Sequence, residues 1–247
     1  MWFSTILFSA NLDCNTSWEY PNEAAIGCNK YSPDDTANFL LFLQQLRADP
    51  VGKLLAVTIA AGNSPWLGAN GKPVTDVSGF AKVVDFITIM NYDIWGPWSP
   101  TVGPNAPLED SCAPEADRAG SALSAVQAWE KAGLPLNKFT LGVPSYGHSF
   151  RVLKKNAYLA NGQLALYPPF VANDQPAGDK WDSQPGGTDV CGAKSTQPGG
   201  VIQYWGMIQL GYINTNGNPE PGRSYRFDTC TNTVCFPVQF KLFGSPA

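Results

Sequence analysis

The stretch Phe86-Ile-Thr-Ile-Met-Asn-Tyr-Asp-Ile94, followed by Trp95-Gly-Pro-Trp98, decides the fold. An apolar run of strand length, rich in β-branched residues, stops at Tyr92 and Asp93 and passes into a loop of glycine, proline and tryptophan. A buried parallel strand of a β/α barrel brings polar side chains to the mouth of the barrel in this way. The pattern predicts a parallel strand with a functional site at its end.

Strand and helix patterns alternate on both sides of this run. Ser32 is the expected N-cap of a first helix, with Pro33 at its first helical position. The alternation predicts parallel strands joined by helical crossovers. The predicted strands are 54–61, 86–92 and 139–146, and the predicted helices are 33–47, 77–84 and 120–132. The residues predicted to face inward from the helices are Phe39, Phe42, Leu43, Leu46, Val77, Phe80, Ala81, Val84, Leu123, Val126 and Trp129.

The amino-acid composition and the helical periodicity of the chain change after Phe150. Residues 151–240 are rich in Gly, Pro, Asn and aromatic residues, with only a short helical stretch near 204–210. The pattern predicts a partial β/α barrel at 1–150, an α+β insertion domain at 151–240 and a tail at 241–247. A complete barrel needs eight strand–helix units, and about four are visible. We therefore expect a chain truncated at both ends.

Composition excludes several classes of function. The 247 residues include 44% hydrophobic and 12% aromatic residues, enough for a sizeable core. The net charge of -4 argues against a nucleic-acid partner, because no basic stripe could neutralise phosphates. No apolar run reaches transmembrane length. We therefore expect neither nucleic acid nor membrane as a partner, and we infer no obligate protein partner.

The six cysteines favour disulfides in an oxidising compartment, with scattered buried thiols as the alternative. None forms a CxxC pair and His148 is the single histidine, so the sequence predicts no metal site and no cofactor. Residues 1–10 are interpreted either as a weak signal segment or as a buried strand. The expected location is extracellular.

Five motifs occur in the order found in family 18 glycoside hydrolases, and the chain resembles the fungal chitinases of that family from about Trp18 to about Val234. The resemblance implies a barrel whose cleft is deepened by the α+β insertion, and chitin or chitooligosaccharides as the ligand. The motifs are Trp18-Glu-Tyr-Pro-Asn22, Ile26-Gly-Cys-Asn29, Ile89-Met-Asn-Tyr-Asp93, Gly103-Pro-Asn-Ala-Pro-Leu108 and Gly142-Val-Pro-Ser-Tyr-Gly-His-Ser-Phe150.

The resemblance also implies roles for single residues. In this family the acetamido oxygen of the sugar itself attacks the anomeric carbon, so no protein carboxylate is the nucleophile. Glu19 would protonate the departing oxygen, Tyr92 would hold the acetamide and Asp93 would hold the reacting sugar. The further residues expected to bind substrate are Tyr20, Met90, Trp98, Asn105 and Tyr146.

Several of these roles have a structural alternative. Glu19 could be an ordinary solvated residue. Tyr92 and Asp93 could simply end a strand and cap the next turn. Trp98 could be a loop tryptophan packed against the barrel rim, and Met90 could fill the core.

Two positions depart from the family pattern Asp-x-x-Asp-x-Asp-x-Glu. Asn15 is a tolerated variant, whereas Ser17 replaces a carboxylate that stabilises the positively charged intermediate. Losing such a partner typically costs on the order of 10²–10³ in rate. His148 stands where many relatives carry arginine. The sequence therefore leaves three functional alternatives: a chitin hydrolase, a non-catalytic chitin-binding protein, and a non-functional fragment.

Overall fold

The computed structural model describes residues 5–8, 32–188 and 191–237, and for residues 5–8 it describes the backbone alone. The architecture is mixed α/β, as the sequence predicts. No helix within these residues is long and apolar enough to cross a membrane.

The chain forms two compact units, each built from two separate segments. Met1–Tyr92 and Gly120–Val143 make up the first unit, and Asp93–Ala119 and Pro144–Ala247 make up the second. This division differs from the boundary after residue 150 that was drawn from composition. The domain organisation drawn from the sequence stays a prediction.

A parallel sheet of four strands forms the centre of the first unit. The strands β1 to β4 lie in the order of the sequence, and every neighbouring pair is parallel. The strand alternative for residues 1–10 is confirmed at Thr5–Phe8. The strands are β1, Thr5–Phe8; β2, Ala56–Ala61; β3, Phe86–Met90; and β4, Phe139–Gly142.

Among the described residues, three α-helices lie in the connections between these strands: α1 is Asp35–Ala48, α2 is Ser78–Val83 and α3 is Ala122–Lys131. The predicted start of α1 is wrong, because its N-cap is Asp34 and that side chain makes no capping bond. The Asp35 carboxylate instead accepts the Ser32 backbone N–H at 2.8 Å. The prediction failed because the three residues Ser32 to Asp34 form a turn before the helix.

The helices and the sheet share one apolar core. Its centre is aromatic: the ring centroids of Trp66 lie 4.3 Å from those of Phe80 and 4.8 Å from those of Trp129. Trp129 is fully buried, and its indole N–H donates to the Gly62 carbonyl at 3.0 Å. Burying each large apolar side chain contributes roughly 1.5–3 kcal/mol. The sheet supplies Val57, Ile59, Ile87 and Ile89 to this core.

Two residues predicted to face inward are exposed. Phe42 is 41% exposed and Leu123 is 44% exposed, so both predictions are wrong. Each lies next to a buried residue, Leu43 or Ala122, and successive helical residues point about 100° apart. The buried stripe of α3 runs through Ala122, Ala125 and Trp129.

Arg47 fastens α1 to the edge of the sheet where β2 and β3 begin. Its guanidinium donates at 2.6 Å to the Leu55 and Val83 carbonyls, and it forms an ion pair with Asp85 at 2.6 Å. The same Asp85 oxygen accepts the Val57 N–H at 2.6 Å. This network fixes the positions at which β2 and β3 begin. Because both strands are short and regular, it also fixes the positions of their C-terminal ends.

Short antiparallel pairs and loops make up the second unit. Its elements are β5, Tyr146–His148; α4, Lys154–Ala157; β6, Val201–Gln203; α5, Tyr204–Gln209; β7, Arg226–Asp228; and β8, Thr233–Cys235. β5 pairs with β6, and β7 pairs with β8. The helix α5 confirms the helical stretch predicted near 204–210.

The predicted strand 139–146 is wrong at its C-terminal end. β4 stops at Gly142, and Tyr146 opens β5 in a different, antiparallel sheet. Pro144 lies between them, and a proline cannot donate to a central strand ladder. Tyr146 therefore does not lie at the end of a parallel strand.

Disulfide chemistry is present in the second unit. Cys112 and Cys230 are bonded across 118 residues, and Cys191 is also disulfide-bonded. The Leu108 N–H donates to the Thr231 carbonyl at 3.0 Å, close to this bond in sequence. Cys235 is a free thiol.

Candidate functional site

Asp93 follows β3 in a strained backbone conformation. Its φ of 57° lies in the left-handed region, which Asp tolerates better than most residues. The Asn105 side-chain oxygen accepts the Asp93 N–H at 2.9 Å, and the Asn105 carbonyl accepts the Ile94 N–H at 3.1 Å. These two bonds hold the Asp93 backbone in a conformation that places its carboxylate in a fixed position.

Tyr146 and His148 both bond to the Asp93 carboxylate. The Tyr146 hydroxyl donates to Oδ1 at 2.7 Å, and Nε2 of His148 lies 2.8 Å from the same oxygen. The two side chains reach one acceptor because residues two apart on a strand share a face. A carboxylate accepts hydrogen bonds, so Nε2 carries the proton.

Asn105 completes this network through the other end of its amide. Its Nδ2 donates to the Tyr146 carbonyl at 2.9 Å, while its Oδ1 receives the Asp93 N–H. Asn105 therefore links the loop after β3 to β5. Its predicted contact with substrate stays a prediction, and one amide N–H remains to make it.

The environment of Asp93 favours its ionised form. The hydrogen bond from His148 lowers the pKa of this carboxyl most, and the bond from Tyr146 and the charge interaction with His148 lower it further, against the opposing effect of partial burial. The Asp93 side chain is 43% exposed, whereas that of His148 is only 7% exposed. No described residue bonds to Oδ2 of Asp93, so this oxygen can accept a hydroxyl from a ligand.

Trp98 lies beside this network and is 64% exposed. Its ring meets the His148 ring edge-on, with centroids 5.5 Å apart. A Cβ at Gly96 would lie 2.3 Å from the Trp98 ring, so only glycine lets the ring fold back over the turn. Both interpretations of Trp98, a ring that stacks on a sugar and a packed loop tryptophan, stay predictions.

Tyr92 and Met90 belong to the first unit. Met90 is the last residue of β3, and both side chains are half-buried. A Cβ at Gly142 would lie 3.0 Å from the Tyr92 ring, so the glycine leaves room for this ring against β4. Their roles toward a ligand stay predictions.

Four predicted site residues, Asn15, Ser17, Glu19 and Tyr20, lie outside the residues that the structure describes. Their placement beside Asp93 stays a prediction. Within 32–188 and 191–237, no group of three His, Cys, Asp or Glu side chains could hold a metal ion. The described site offers one carboxylate oxygen and an exposed indole, which are groups that bind a neutral polyhydroxyl ligand.

Comparisons with known proteins give the family. The model of glycosyl hydrolases family 18 matches residues 11–234. A "chitinase-like effector" of Moniliophthora perniciosa is 49% identical over 222 residues, covering 89% of this chain and 50% of that protein. A chitinase from Niallia circulans is 31% identical over 213 residues, covering 81% of this chain and 26% of that protein.

A solved structure gives the same result. A chitinase from Rhizomucor miehei matches with a TM-score of 0.74 at 30% identity, covering 88% of this chain and 56% of that chain. The family resemblance predicted from the motifs is confirmed, and the chain belongs to glycoside hydrolase family 18. It spans about half the length of the effector relative that it matches.

Proposed function

We propose that this chain binds chitooligosaccharides at the site formed by Asp93, Tyr146 and Trp98. The observation that carries the proposal is the Asp93 carboxylate, held by Tyr146 and His148 through one oxygen while the other is available to a ligand. Trp98 supplies an aromatic face beside it, on which the C–H face of a pyranose ring stacks. The names of the family relatives, chitinases and chitinase-like effectors, support the choice of sugar.

We also propose that this chain hydrolyses chitin at a strongly reduced rate. In the substrate-assisted mechanism, Glu19 is the general acid, Tyr92 binds the acetamide and a carboxylate at position 17 stabilises the oxazolinium. Ser17 carries no charge to do so, and Asn15 stands at another position of the motif. The relative at 49% identity is named chitinase-like rather than chitinase, which supports a binding role.

Residual chitin hydrolysis with retention at the anomeric carbon is the second candidate, because Glu19 is kept. For the architecture, we propose a partial β/α barrel of about four strand–helix units with an α+β insertion. The four-stranded parallel sheet and the antiparallel second unit support this proposal. We also propose an extracellular location, which the Cys112–Cys230 disulfide supports.

Binding is tested by titration calorimetry of the full chain with N-acetylglucosamine oligomers. Asp93→Ala removes the hydroxyl acceptor and is expected to weaken affinity by about 10-fold or more, since a hydrogen bond to a charged group contributes roughly 1.5–3 kcal/mol. Glu115→Ala, an exposed carboxylate of the same unit, is the control and should bind as wild type does. Equal affinity of Asp93→Ala and wild type would refute the proposed site.

Catalysis is tested with an oligosaccharide that releases a chromophore. Restoring the carboxylate in Ser17→Asp is expected to raise the hydrolysis rate by about 10²–10³. Glu19→Gln in that background should abolish the gain, because it removes the acid. A wild-type rate already equal to that of Ser17→Asp would show that the missing charge does not limit hydrolysis.

A further inference from the structure

Two tryptophans in the second unit flank an open cleft at the end of β6, where Gln203 pairs with Tyr146 of the Asp93 site. Trp181 is 65% exposed, and its ring centroid lies 5.9 Å from that of Trp205 at an interplanar angle of 72°. The cleft has a volume of about 700 Å³ and is lined by Lys180, Trp181, Gln203 and Trp205. We call these four residues the tryptophan platform.

Two buried carboxylates hold the platform rigid. Asp179 accepts the Trp181 N–H at 2.8 Å and the Gln203 N–H at 2.7 Å. Asp182 accepts the Gly178 and Gly200 N–H groups, each at 2.8 Å. The loop that carries Lys180 and Trp181 is thereby bonded directly to β6 and the segment before it.

Glycines permit this close approach. A Cβ at Gly206 would lie 2.3 Å from Oδ2 of Asp179, and a Cβ at Gly199 would lie 2.5 Å from Oδ1 of Asp182. Any other residue at these positions would displace the carboxylates. The local sequence therefore holds the exposed Trp181 indole on a fixed backbone. A ligand that stacks on this indole does not have to order a flexible loop, so binding avoids that cost in entropy.

Polar groups surround the aromatic faces. The Trp205 indole N–H donates to the Gln203 side-chain oxygen at 2.7 Å, which leaves the amide N–H groups of Gln203 unbonded among the described residues. The Lys180 ammonium lies over both rings, 5.3 Å from the Trp181 ring centroid and 5.1 Å from that of Trp205. The remaining exposed surface of Trp181, with two hydrogen-bond donors beside it, matches a sugar that has a C–H face and an acetamide carbonyl.

We propose that the tryptophan platform is a second carbohydrate site that binds the N-acetylglucosamine units of polymeric chitin. It shares no residue with the Asp93 site, although Gln203 pairs with Tyr146 of that site, and the choice of chitin rests on the function proposed there. Two sites on one chain would increase retention on a polymer through effective concentration, while a short oligomer would still use the Asp93 site alone.

The test is retention of the full chain on insoluble chitin, measured beside calorimetric affinity for a soluble trisaccharide. Trp181→Ala should lower affinity for the polymer by about 5- to 10-fold, the loss expected for one stacking contact. Trp181→Phe should recover most of it. Tyr158→Ala, an exposed aromatic of the same unit outside the platform, is the matched control and should behave as wild type.

The outcomes separate the two sites. Loss of polymer retention in Trp181→Ala with unchanged trisaccharide affinity supports the platform. Asp93→Ala should instead lower the affinity for the trisaccharide more than it lowers retention on the polymer. Unchanged polymer retention in Trp181→Ala would overturn the proposal. Equal retention of wild type on cellulose and chitin would also overturn it, because cellulose lacks the acetamide that the Lys180 and Gln203 donors recognise.

Discussion

Asp93 combines a left-handed backbone with a carboxylate bonded by two side chains from β5. A left-handed non-glycine residue costs on the order of 1 kcal/mol, and here the bonds from Asn105, Tyr146 and His148 offset that cost. The residue is thereby oriented before any ligand arrives. His148 stands out in the family resemblance only as a replacement for arginine, yet its bond to Asp93 contributes to this orientation.

The ionised form of Asp93 is expected to contribute stability that depends on pH. Its pKa in the folded protein is lowered, so the contribution is present above the unfolded value near 4 and is lost as pH falls through the folded value. The stability gap between wild type and Asp93→Asn should therefore shrink between pH 5 and pH 2.5. Urea unfolding at each pH measures the gap, with Glu115→Gln as control. A gap independent of pH would contradict the expected bonding of the carboxylate.

For Asp93, the sequence predicted the position along the chain better than the contacts of the side chain. Its place after a strand could be predicted because the apolar run of β3 ends just before it. The bond from His148 could not, since it depends on the pairing of β5 with β6, more than 50 residues apart in sequence. Trp181 gave no signal, because one tryptophan in a Gly/Pro-rich segment has no periodicity to reveal its exposure.

Among the elements, α3 shows how side chains define a helix start. Ser121 is its N-cap: its hydroxyl accepts the Ser124 N–H at 3.2 Å, and the Ser124 hydroxyl accepts the Ser121 N–H at 2.8 Å. The positive φ of Gly133 follows the C-terminal end. Residues adjacent in sequence therefore determine where α3 begins and where it ends. For this reason its bounds are close to those predicted.

Ser121→Ala is expected to destabilise the first unit by about 1 kcal/mol, because it leaves the Ser124 N–H in the first turn of α3, which is partly buried, without its acceptor. The midpoint of urea unfolding, followed by circular dichroism, measures the loss. Ser32→Ala, at the position predicted from sequence to cap α1, should cost less, because its hydroxyl bonds only an exposed N–H. If Ser121→Ala and Ser32→Ala lowered the free energy of unfolding equally, the Ser121 cap would stabilise the protein no more than the exposed Ser32 bond does.

The helical faces were predictable only in part. Leu43, Phe80 and Trp129 fall at the centre of each apolar stripe and are buried. Phe42 and Leu123 lie at the edge of a stripe, where apolar identity alone does not tell which side meets the sheet. That choice depends on how each helix crosses the sheet, and no local pattern encodes the crossing.

Across the whole molecule, the Cys112–Cys230 disulfide joins two positions that are 118 residues apart in sequence. Closing a loop of 118 residues is expected to stabilise the second unit by up to about 4 kcal/mol, through lost entropy of the unfolded chain. Burial raises the pKa of the Cys235 thiol to about 11, so little thiolate is present at neutral pH to attack this bond.

The double variant Cys112→Ser/Cys230→Ser should therefore unfold at a clearly lower temperature than wild type. Calorimetry at pH 7 measures the shift, and Cys235→Ser is the control because it leaves the disulfide intact. An unchanged transition temperature would show that the native contacts of the second unit suffice without the closure.

The division into two units was not predictable from composition, which places a boundary near residue 150. Residues 93–119 resemble the later loops in being rich in proline and glycine, but they are followed by a helix and a strand of the first unit. The path of the chain, which leaves the first unit and returns to it, is decided by long-range contacts such as that of Leu108 with Thr231.

This path has a consequence for synthesis on the ribosome. The sulfur partner and the carbonyl partner of the segment Asp93–Ala119 are Cys230 and Thr231. Translation of more than a hundred further residues separates the two halves. The nascent second unit must therefore wait, with Cys112 reduced or temporarily mispaired, until Cys230 has left the ribosome.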